Sequence, residues 1–247
     1  MRIKTYIINL PKDRERKEYM QHLLQPYTSL LDSEFIEAVY GKTLTSEELE
    51  ARFDNHSAFK RYGRNVQPNE IGCTLSHREV FKKIVDEDLP YGVILEDDID
   101  LKPNFSELLP QAKILMQTEK PTILLLSGGY VYYKTQKIKN LPIAWIYDAY
   151  YTHSYMINAA AAKHLLQYKA DYVADDWIYL RKRGMQIMAL QPHCVNQKRD
   201  GVFISNIWDD SHAINKSKMG VTTLCNYIKD RLIYKGLQKI GNWEPFE

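Results

Sequence analysis

The chain has 247 residues, 45% of them apolar and 26% charged, which is enough for one large domain with a sizeable core. Its 33 Lys and Arg against 31 Asp and Glu leave a net charge of +2, and this balance gives no case for nucleic-acid binding. Three cysteines without CxxC spacing argue against a disulfide framework and suit a reducing compartment. Because no apolar run approaches the roughly 20 residues of a membrane span and the N-terminus lacks the apolar length of a signal peptide, we expect a cytoplasmic protein.

Strands and helices alternate along most of the chain. Thr45 followed by Glu48 is a capping box, and residues 54–70 have the polar character of a loop. The predicted strands cover 3–10, 35–40, 91–99, 122–129, 145–157 and 185–192, and the predicted helices cover 11–25, 45–53, 71–88, 104–117, 158–168 and 175–184. Pro11 suits the first helix start, and Asp175 is placed to cap the last of these helices.

This alternation predicts an α/β domain with a mostly parallel central sheet flanked by helices. Such sheets bind ligands beyond the carboxyl ends of their strands. Three predicted strands end at Asn9, at Glu96–Asp98 and at Ser127–Gly129. We therefore expect these ends to lie along one edge of the sheet and to form a binding site.

The stretch YGVILEDDIDL places four acids in five residues behind an apolar run. Alternation along a strand directs Glu96 and Asp98 to the same side and Asp97 away from it. We expect Asp97 and Asp100 to be caps or solvated. Two carboxylates with room for water suit Mn²⁺ or Mg²⁺, particularly when a substrate diphosphate completes the shell. The cation would remove the repulsion that makes the cluster costly.

The last residues, 211–247, are predicted as a basic helical tail after a first domain of residues 1–210. They hold six Lys and Arg against three Asp and Glu, and 221–240 is amphipathic. Such a helix either packs on the domain or lies peripherally on an anionic membrane surface.

Several segments together resemble one known family. YIINLPKDRERKEYM, VILEDDI, SYMINAAAAKHLL and ADDWIYL are similar in type and order to segments of glycosyltransferase family 25, and NEIGCTLSHREVF resembles its Glu-x-Gly-Cys-x-x-Ser-His block. This family comprises bacterial lipooligosaccharide galactosyltransferases with collagen galactosyltransferase relatives. The likeness covers residues 3 to about 200.

The resemblance implies a GT-A-type, Rossmann-like fold, a UDP-sugar donor (most often UDP-galactose) and inversion at the anomeric carbon. The acceptor would be a glycan of a lipooligosaccharide or lipopolysaccharide. Within this domain, residues 1 to about 130 are expected to bind the donor, and residues from about 130 to 210 are expected to form the acceptor side. Loss of a nucleoside diphosphate requires charge neutralisation, so Mn²⁺ or Mg²⁺ is the expected cofactor.

Site roles follow from the same resemblance. Asp98 is expected to bind the metal, and Glu96 to join it or to hold a ribose hydroxyl. For a third metal ligand we name His193, with His212 and Gln197 as rivals, and the choice stays open. The expected contacts of the donor or of its sugar are Asn9, Arg14, Ser76, His77, Glu96, Asp97, Ser127 and Gly128.

The expected general base is Asp175, with Asp176 as the alternative. Both lie at the predicted N-terminus of a helix, where the dipole favours an ionised carboxylate, and one of them is expected to act only as a cap. Trp177 beside them is a candidate sugar platform.

Two other functions remain open at the level of sequence. A sugar nucleotidyltransferase would use similar acids, but it needs a glycine-rich phosphate loop, and INLPKDRERK contains no glycine. A nucleotide-sugar or glycan-binding module without turnover would leave the acidic cluster structural.

Overall fold

A computed structural model of the chain describes residues 2–198 and 214–245, so His212 and residues 199–210 of the predicted first domain lie outside the described part. The strands are β1 Ile3–Asn9, β2 Leu31–Glu37, β3 Tyr91–Glu96, β4 Ile99–Leu101, β5 Thr122–Leu125, β6 Tyr130–Ile138, β7 Leu141–Ala149, β8 Ser154–Asn158, β9 Gln186–Leu190, β10 Val195–Gln197 and β11 Trp243–Glu244. The α-helices are α1 Arg14–Leu24, α2 Ser46–Arg52, α3 Asn55–Tyr62, α4 Pro68–Asp86, α5 Phe105–Met116, α6 Ala159–Leu166, α7 Trp177–Lys182 and α8 Val221–Lys239.

Nine strands form one mixed sheet in the order β11-β6-β7-β9-β5-β8-β3-β1-β2. Strand β1 runs parallel to β2 and β3, and β5 runs parallel to β9. Strand β8 is antiparallel to both β3 and β5, so β3 and β5 point in the same direction. The carboxyl ends of β1, β3 and β5 therefore lie at one edge, as expected, and the predicted α/β architecture is confirmed.

Helices cover both faces of this sheet. Alternation along the strands sends Tyr6 and Ile94 to a core beneath α3, α4, α6 and α7, and it sends Ile7 and Leu95 to a second core beneath α1 and α5. Because the central strands are buried on both faces, they appear in the sequence as continuous apolar runs.

The ends of several elements differ from the prediction. The capping box of Thr45 and Glu48 is confirmed. The prediction of a loop over 54–70 was wrong, because Asp54 accepts a hydrogen bond from the Ser57 amide at 3.0 Å and starts α3 there. Helix α1 begins at Arg14 rather than at Pro11, and strand β6 falls in a region without a predicted strand.

The C-terminal residues add to the same fold. Helix α8 packs against the β6–β7 hairpin through Tyr234, and β11 pairs antiparallel with β6 at one end of the nine-stranded sheet. Among residues 2–198 and 214–245, no helix combines the length and the apolar character that crossing a bilayer requires.

Candidate functional site

A cleft of about 220 Å³ opens at the carboxyl ends of β1 and β3. Its floor carries the acids Glu96, Asp97 and Asp98. One wall is the start of α1, and the other is formed by the segment after β2 together with α4. The cleft therefore lies where the direction of the strands predicted a ligand site.

Asp97 is held at the base of the cleft by two donors. The Asn9 side-chain amide donates to Asp97 Oδ2 at 2.7 Å, and an Arg16 guanidinium nitrogen lies 2.8 Å from Asp97 Oδ1. Asn9 also donates to the Asp13 carbonyl, which ties the end of β1 to the start of α1. Asn9 thus acts on the site by orienting Asp97.

Asp98 is buried, with only 6% of its surface exposed. Its Oδ2 atom lies 3.3 Å from Arg16 and accepts a hydrogen bond from the Gln197 side chain at 3.1 Å, while its Oδ1 atom is buried with no hydrogen-bond partner. Burial, followed by the charge of Glu96, raises the pKa of Asp98 to about 6. A bound cation would satisfy the orphaned oxygen and relieve both effects, so the residues present fit the predicted metal.

Glu96 belongs to a different hydrogen-bond network. Its Oε1 accepts from the Thr152 hydroxyl at 2.6 Å and lies 3.3 Å from His77 Nε2. The other ring nitrogen of His77 lies 2.8 Å from the Tyr155 hydroxyl. Burial alone would raise the pKa of Glu96, but the His77 and Thr152 contacts outweigh it and lower that pKa.

The orientation predicted for Asp97 was wrong. Strand β3 ends at Glu96, and residues 97 and 98 form a turn, so alternation no longer sets the directions of their side chains. Asp97 and Asp98 both meet Arg16, whereas Glu96 turns to His77. Asp100 is exposed, as expected.

A second set of ligand-type atoms lies in the same cleft. One ligand atom from each of Cys73, His77 and Glu96 falls within 4.8 Å of the others. Burial, reinforced by the charges of Glu96 and Asp175, raises the pKa of the Cys73 thiol well above its ordinary value. A thiol that stays protonated is a poor ligand for a hard cation, so the oxygens of the turn suit Mn²⁺ or Mg²⁺ better.

Ser76 shapes the wall of the cleft. Its hydroxyl accepts from the Val39 amide at 2.8 Å and donates to the Gly72 carbonyl at 2.7 Å. A Cβ atom at Gly72 would lie 2.6 Å from the Val39 carbonyl oxygen and 2.7 Å from the Gly41 nitrogen. The glycine and serine of this α4 segment therefore let the chain after β2 approach closely and form the wall.

Cations line the upper part of the cleft. Lys12 and Lys42 both face it, and the Lys12 ammonium lies 4.4 Å from the centre of the Tyr40 ring. Positive groups above an acidic floor suit a diphosphate with a cation beneath it.

The two candidate bases have different surroundings. Asp176 is the N-cap of α7: it accepts from the Tyr179 amide at 3.1 Å and from the Tyr62 hydroxyl at 2.8 Å. The prediction that Asp175 caps this helix was wrong. Asp175 is exposed, and within the described part of the chain its carboxylate forms no hydrogen bond or ion pair with another side chain.

Asp175 does not line the cleft, but its carboxylate interacts electrostatically with Glu96 on the cleft floor. Desolvation by the surrounding protein, followed by the charges of Asp176, Glu70 and Glu96, raises the pKa of Asp175 to about 6. A carboxylate that is accessible to solvent and has a pKa near 6 can accept a proton at neutral pH.

The loop between β7 and β8 joins α7 to the cleft. The Trp177 indole donates to the Tyr151 carbonyl at 3.1 Å, and the next residue, Thr152, binds Glu96. Trp177 is only 1% exposed, which removes it as a sugar platform. Tyr151 has a φ of +67°, a strained conformation for a bulky residue, and its side chain is half-buried beside the exposed Tyr150.

Seven of the predicted site residues do not line the cleft. Three of them are Asn9, Asp175 and Asp176, described above, and the other four are Arg14, Ser127, Gly128 and His193. Arg14 is exposed on α1 and does not line the cleft. Ser127 is buried and bridges to Val195, and a Cβ atom at Gly128 would lie 2.4 Å from the Pro245 carbonyl. His193 lies 2.9 Å from Glu244 and 2.8 Å from Asn196 through its two ring nitrogens. Of its rivals as a third ligand, Gln197 reaches Asp98.

Sequence reasoning missed Arg16, Lys12, Tyr40, Lys42 and Cys73 as cleft residues. The edge rule applied to β1, β3 and β5 also applies to β2, which is parallel to β1 and delivers Tyr40. Arg16 depends on the phase of α1, and no sequence signal distinguishes it from Arg14.

Comparisons with known proteins agree with the resemblance. The model of glycosyltransferase family 25, described as an LPS biosynthesis protein, matches residues 2–179. Procollagen galactosyltransferase 1-A of Xenopus laevis is 28% identical over 172 residues, which are 66% of this chain and 28% of that protein. A putative glycosyltransferase of Acanthamoeba polyphaga mimivirus is 33% identical over 127 residues, which are 51% of this chain and 37% of that protein.

Among solved structures, a glycosyltransferase involved in the glycosylation of the major capsid of PBCV-1 aligns with a TM-score of 0.36 and 10% identity, over 66% of this chain and 62% of that chain. The matches to the Xenopus and mimivirus relatives span only about a third of the length of those two proteins. Since the family model covers well over half of its residues, the chain belongs to glycosyltransferase family 25.

Proposed function

We propose that this protein is an inverting, metal-dependent glycosyltransferase that moves a hexose from a UDP-sugar to a glycan acceptor. Its relatives include proteins named galactosyltransferases, which makes UDP-galactose the first donor to test. The description of the family model favours a lipopolysaccharide or lipooligosaccharide acceptor. The observation that carries the proposal is the buried Asp98, which lines the cleft with an orphaned oxygen, while the accessible Asp175 interacts electrostatically with Glu96 on the same floor.

Asp98, with Glu96 beside it, would hold Mn²⁺ or Mg²⁺. When bound, the cation stabilises the negative charge that develops on the diphosphate leaving group. Arg16 occupies the space between Asp97 and Asp98 and neutralises part of their charge. On this proposal the guanidinium yields the carboxylates to the cation and turns to the diphosphate, where Lys12 and Lys42 add positive charge.

Asp175 acts as the base. A hydroxyl oxygen of the acceptor bonds to the anomeric carbon as the bond from that carbon to the diphosphate oxygen breaks, and the hydroxyl proton passes to the Asp175 carboxylate. Attack from the side opposite the leaving group inverts the anomeric configuration. Asp176 does not compete for this role, because its oxygens are held by Tyr62 and Tyr179.

UDP release tests the proposal. The native chain is assayed with a panel of UDP-sugars and glycan acceptors, with Mn²⁺ and after chelation. We expect release that needs both cation and acceptor, and NMR of the product should show inversion. Binding of UDP-sugars without release under any condition would instead support a binding module, and release that survives chelation would contradict the metal assignment.

A further inference from the structure

Helix α8 is fixed to the domain by one of its faces. The Tyr234 ring is buried in a small core with Val131 and Tyr147. Asp230, one turn earlier, accepts from the Tyr147 hydroxyl at 2.8 Å and pairs with Lys182. The contacts of this face therefore hold α8 against the rest of the domain.

The opposite face of α8 is also apolar. At 100° per residue, Val221, Cys225, Ile228 and Leu232 fall about half a turn away from Asp230 and Tyr234, and we call these four residues the outer stripe. Val221 is 80% exposed, Ile228 49% and Leu232 67%, and Cys225 is exposed. Ile240 and Trp243, beyond the helix end, are also exposed apolar residues.

Positive charge surrounds this stripe. Lys229, Lys235 and Lys239 lie on or beside the outward face, and none of them forms an ion pair within the described residues. The two acids of residues 214–245 are Asp230 and Glu244, and both are paired with groups of the domain. The outward surface of α8 is therefore apolar and cationic, without negative charge of its own.

We propose that the outer stripe of α8 lies on an anionic lipid surface, with Ile228 and Leu232 in the boundary between headgroups and acyl chains. The flanking lysines meet the lipid phosphates, and Trp243 suits the same depth. A second copy of the chain would also cover the apolar residues, but it would bring the same lysines against each other. Charge complementarity therefore selects the membrane.

Vesicle flotation tests the proposal with the intact chain. Two kinds of vesicle are compared at low and high salt: pure phosphatidylcholine, and phosphatidylcholine in which about one lipid in three is the anionic phosphatidylglycerol. We expect binding to the anionic vesicles that weakens with salt. Replacing both Ile228→Ser and Leu232→Ser should weaken it at least about tenfold, because two partly inserted side chains are lost.

Two further variants complete the experiment. Lys235→Glu with Lys239→Glu should weaken binding to anionic vesicles by a similar factor, while Tyr133→Ser, an exposed residue on β6, should leave it unchanged. Melting temperatures should match the native chain, since the outer stripe belongs to none of the cores that the described residues form. Absence of binding, equal binding to both vesicle types, or a concentration-dependent dimer that the serine variant abolishes would overturn the proposal.

Discussion

Replacing Arg16 by glutamine tests whether its guanidinium takes the position of a cation. Arg16 contacts Asp97 at 2.8 Å and Asp98 at 3.3 Å, and the two acids are only 7% and 6% exposed. Removing one member of a fully buried ion pair costs about 3–5 kcal/mol. Because Asn9 and Gln197 still donate to the carboxylates, we expect a loss of about 2 kcal/mol, or about 4–8 °C in Tm for a chain of this size.

Divalent cation should reverse this loss. At a Mn²⁺ concentration about a hundredfold above the Kd of the variant, binding contributes about 2.7 kcal/mol of stability. The native chain gains less at the same concentration, because its cation must first displace the guanidinium. Thermal denaturation with and without Mn²⁺, together with titration of free Mn²⁺ by electron paramagnetic resonance, measures both quantities.

The control is Arg14→Gln, which removes an exposed guanidinium from the same helix. It should change neither Tm nor Mn²⁺ affinity. If Arg16→Gln gained no more stability from Mn²⁺ than the native chain, or bound the ion more weakly, Arg16 would not compete with a cation and this account of the acidic floor would be refuted.

Three other variants test the site. Asp175→Asn should lower turnover at least about 100-fold, and a normal rate in this variant would reject Asp175 as the base. In the native chain, kcat/KM should fall as the pH drops through about 6, because the base must be ionised. Because the pKa of Asp175 is raised in the folded state, its carboxyl group stabilises the fold at low pH, and this effect is lost as the pH rises through about 6. At pH 8 the Asp175→Asn variant, which carries no charge there, should therefore have a higher Tm than the native chain. An unchanged Tm would contradict this. Asp176→Asn, which keeps a capping side chain, should retain most of the activity. Gly72→Ala should lose about 1–2 kcal/mol in urea unfolding and raise the donor KM, because its Cβ meets backbone 2.6 Å away; a stabilised variant would show that the wall yields.

Local signals predicted the elements that position the site. The apolar runs of β1 and β3 are buried on both faces, so the sequence alone places Asn9 and Glu96 at one edge of the sheet. The capping box at Thr45 was equally visible, because its partner lies three residues away. In contrast, Asp54 starts α3 through a similarly local bond to Ser57, and the polar composition of that stretch concealed it.

Prediction failed where a side chain's direction depends on where an element ends. Strand β3 ends one residue before Asp97, so that carboxylate turns to Asn9 and Arg16 instead of facing solvent. The N-cap of α7 moved by one residue for the same reason, which leaves Asp175 accessible and Asp176 bound. His193 is held by Glu244, whose approach depends on β11 pairing with a distant strand.

The amino-acid sequence alone determined the α/β class, the family and the cluster of acids after β3, because these depend on runs and motifs within a few residues. Only the tertiary structure decided which carboxylates contact Arg16, which of Asp175 and Asp176 remains accessible, and which side of α8 is left outside. These depend on contacts between residues far apart in the chain, such as Arg16 with Asp98 and Tyr62 with Asp176. Such contacts follow from the packing of whole elements, which local patterns do not encode.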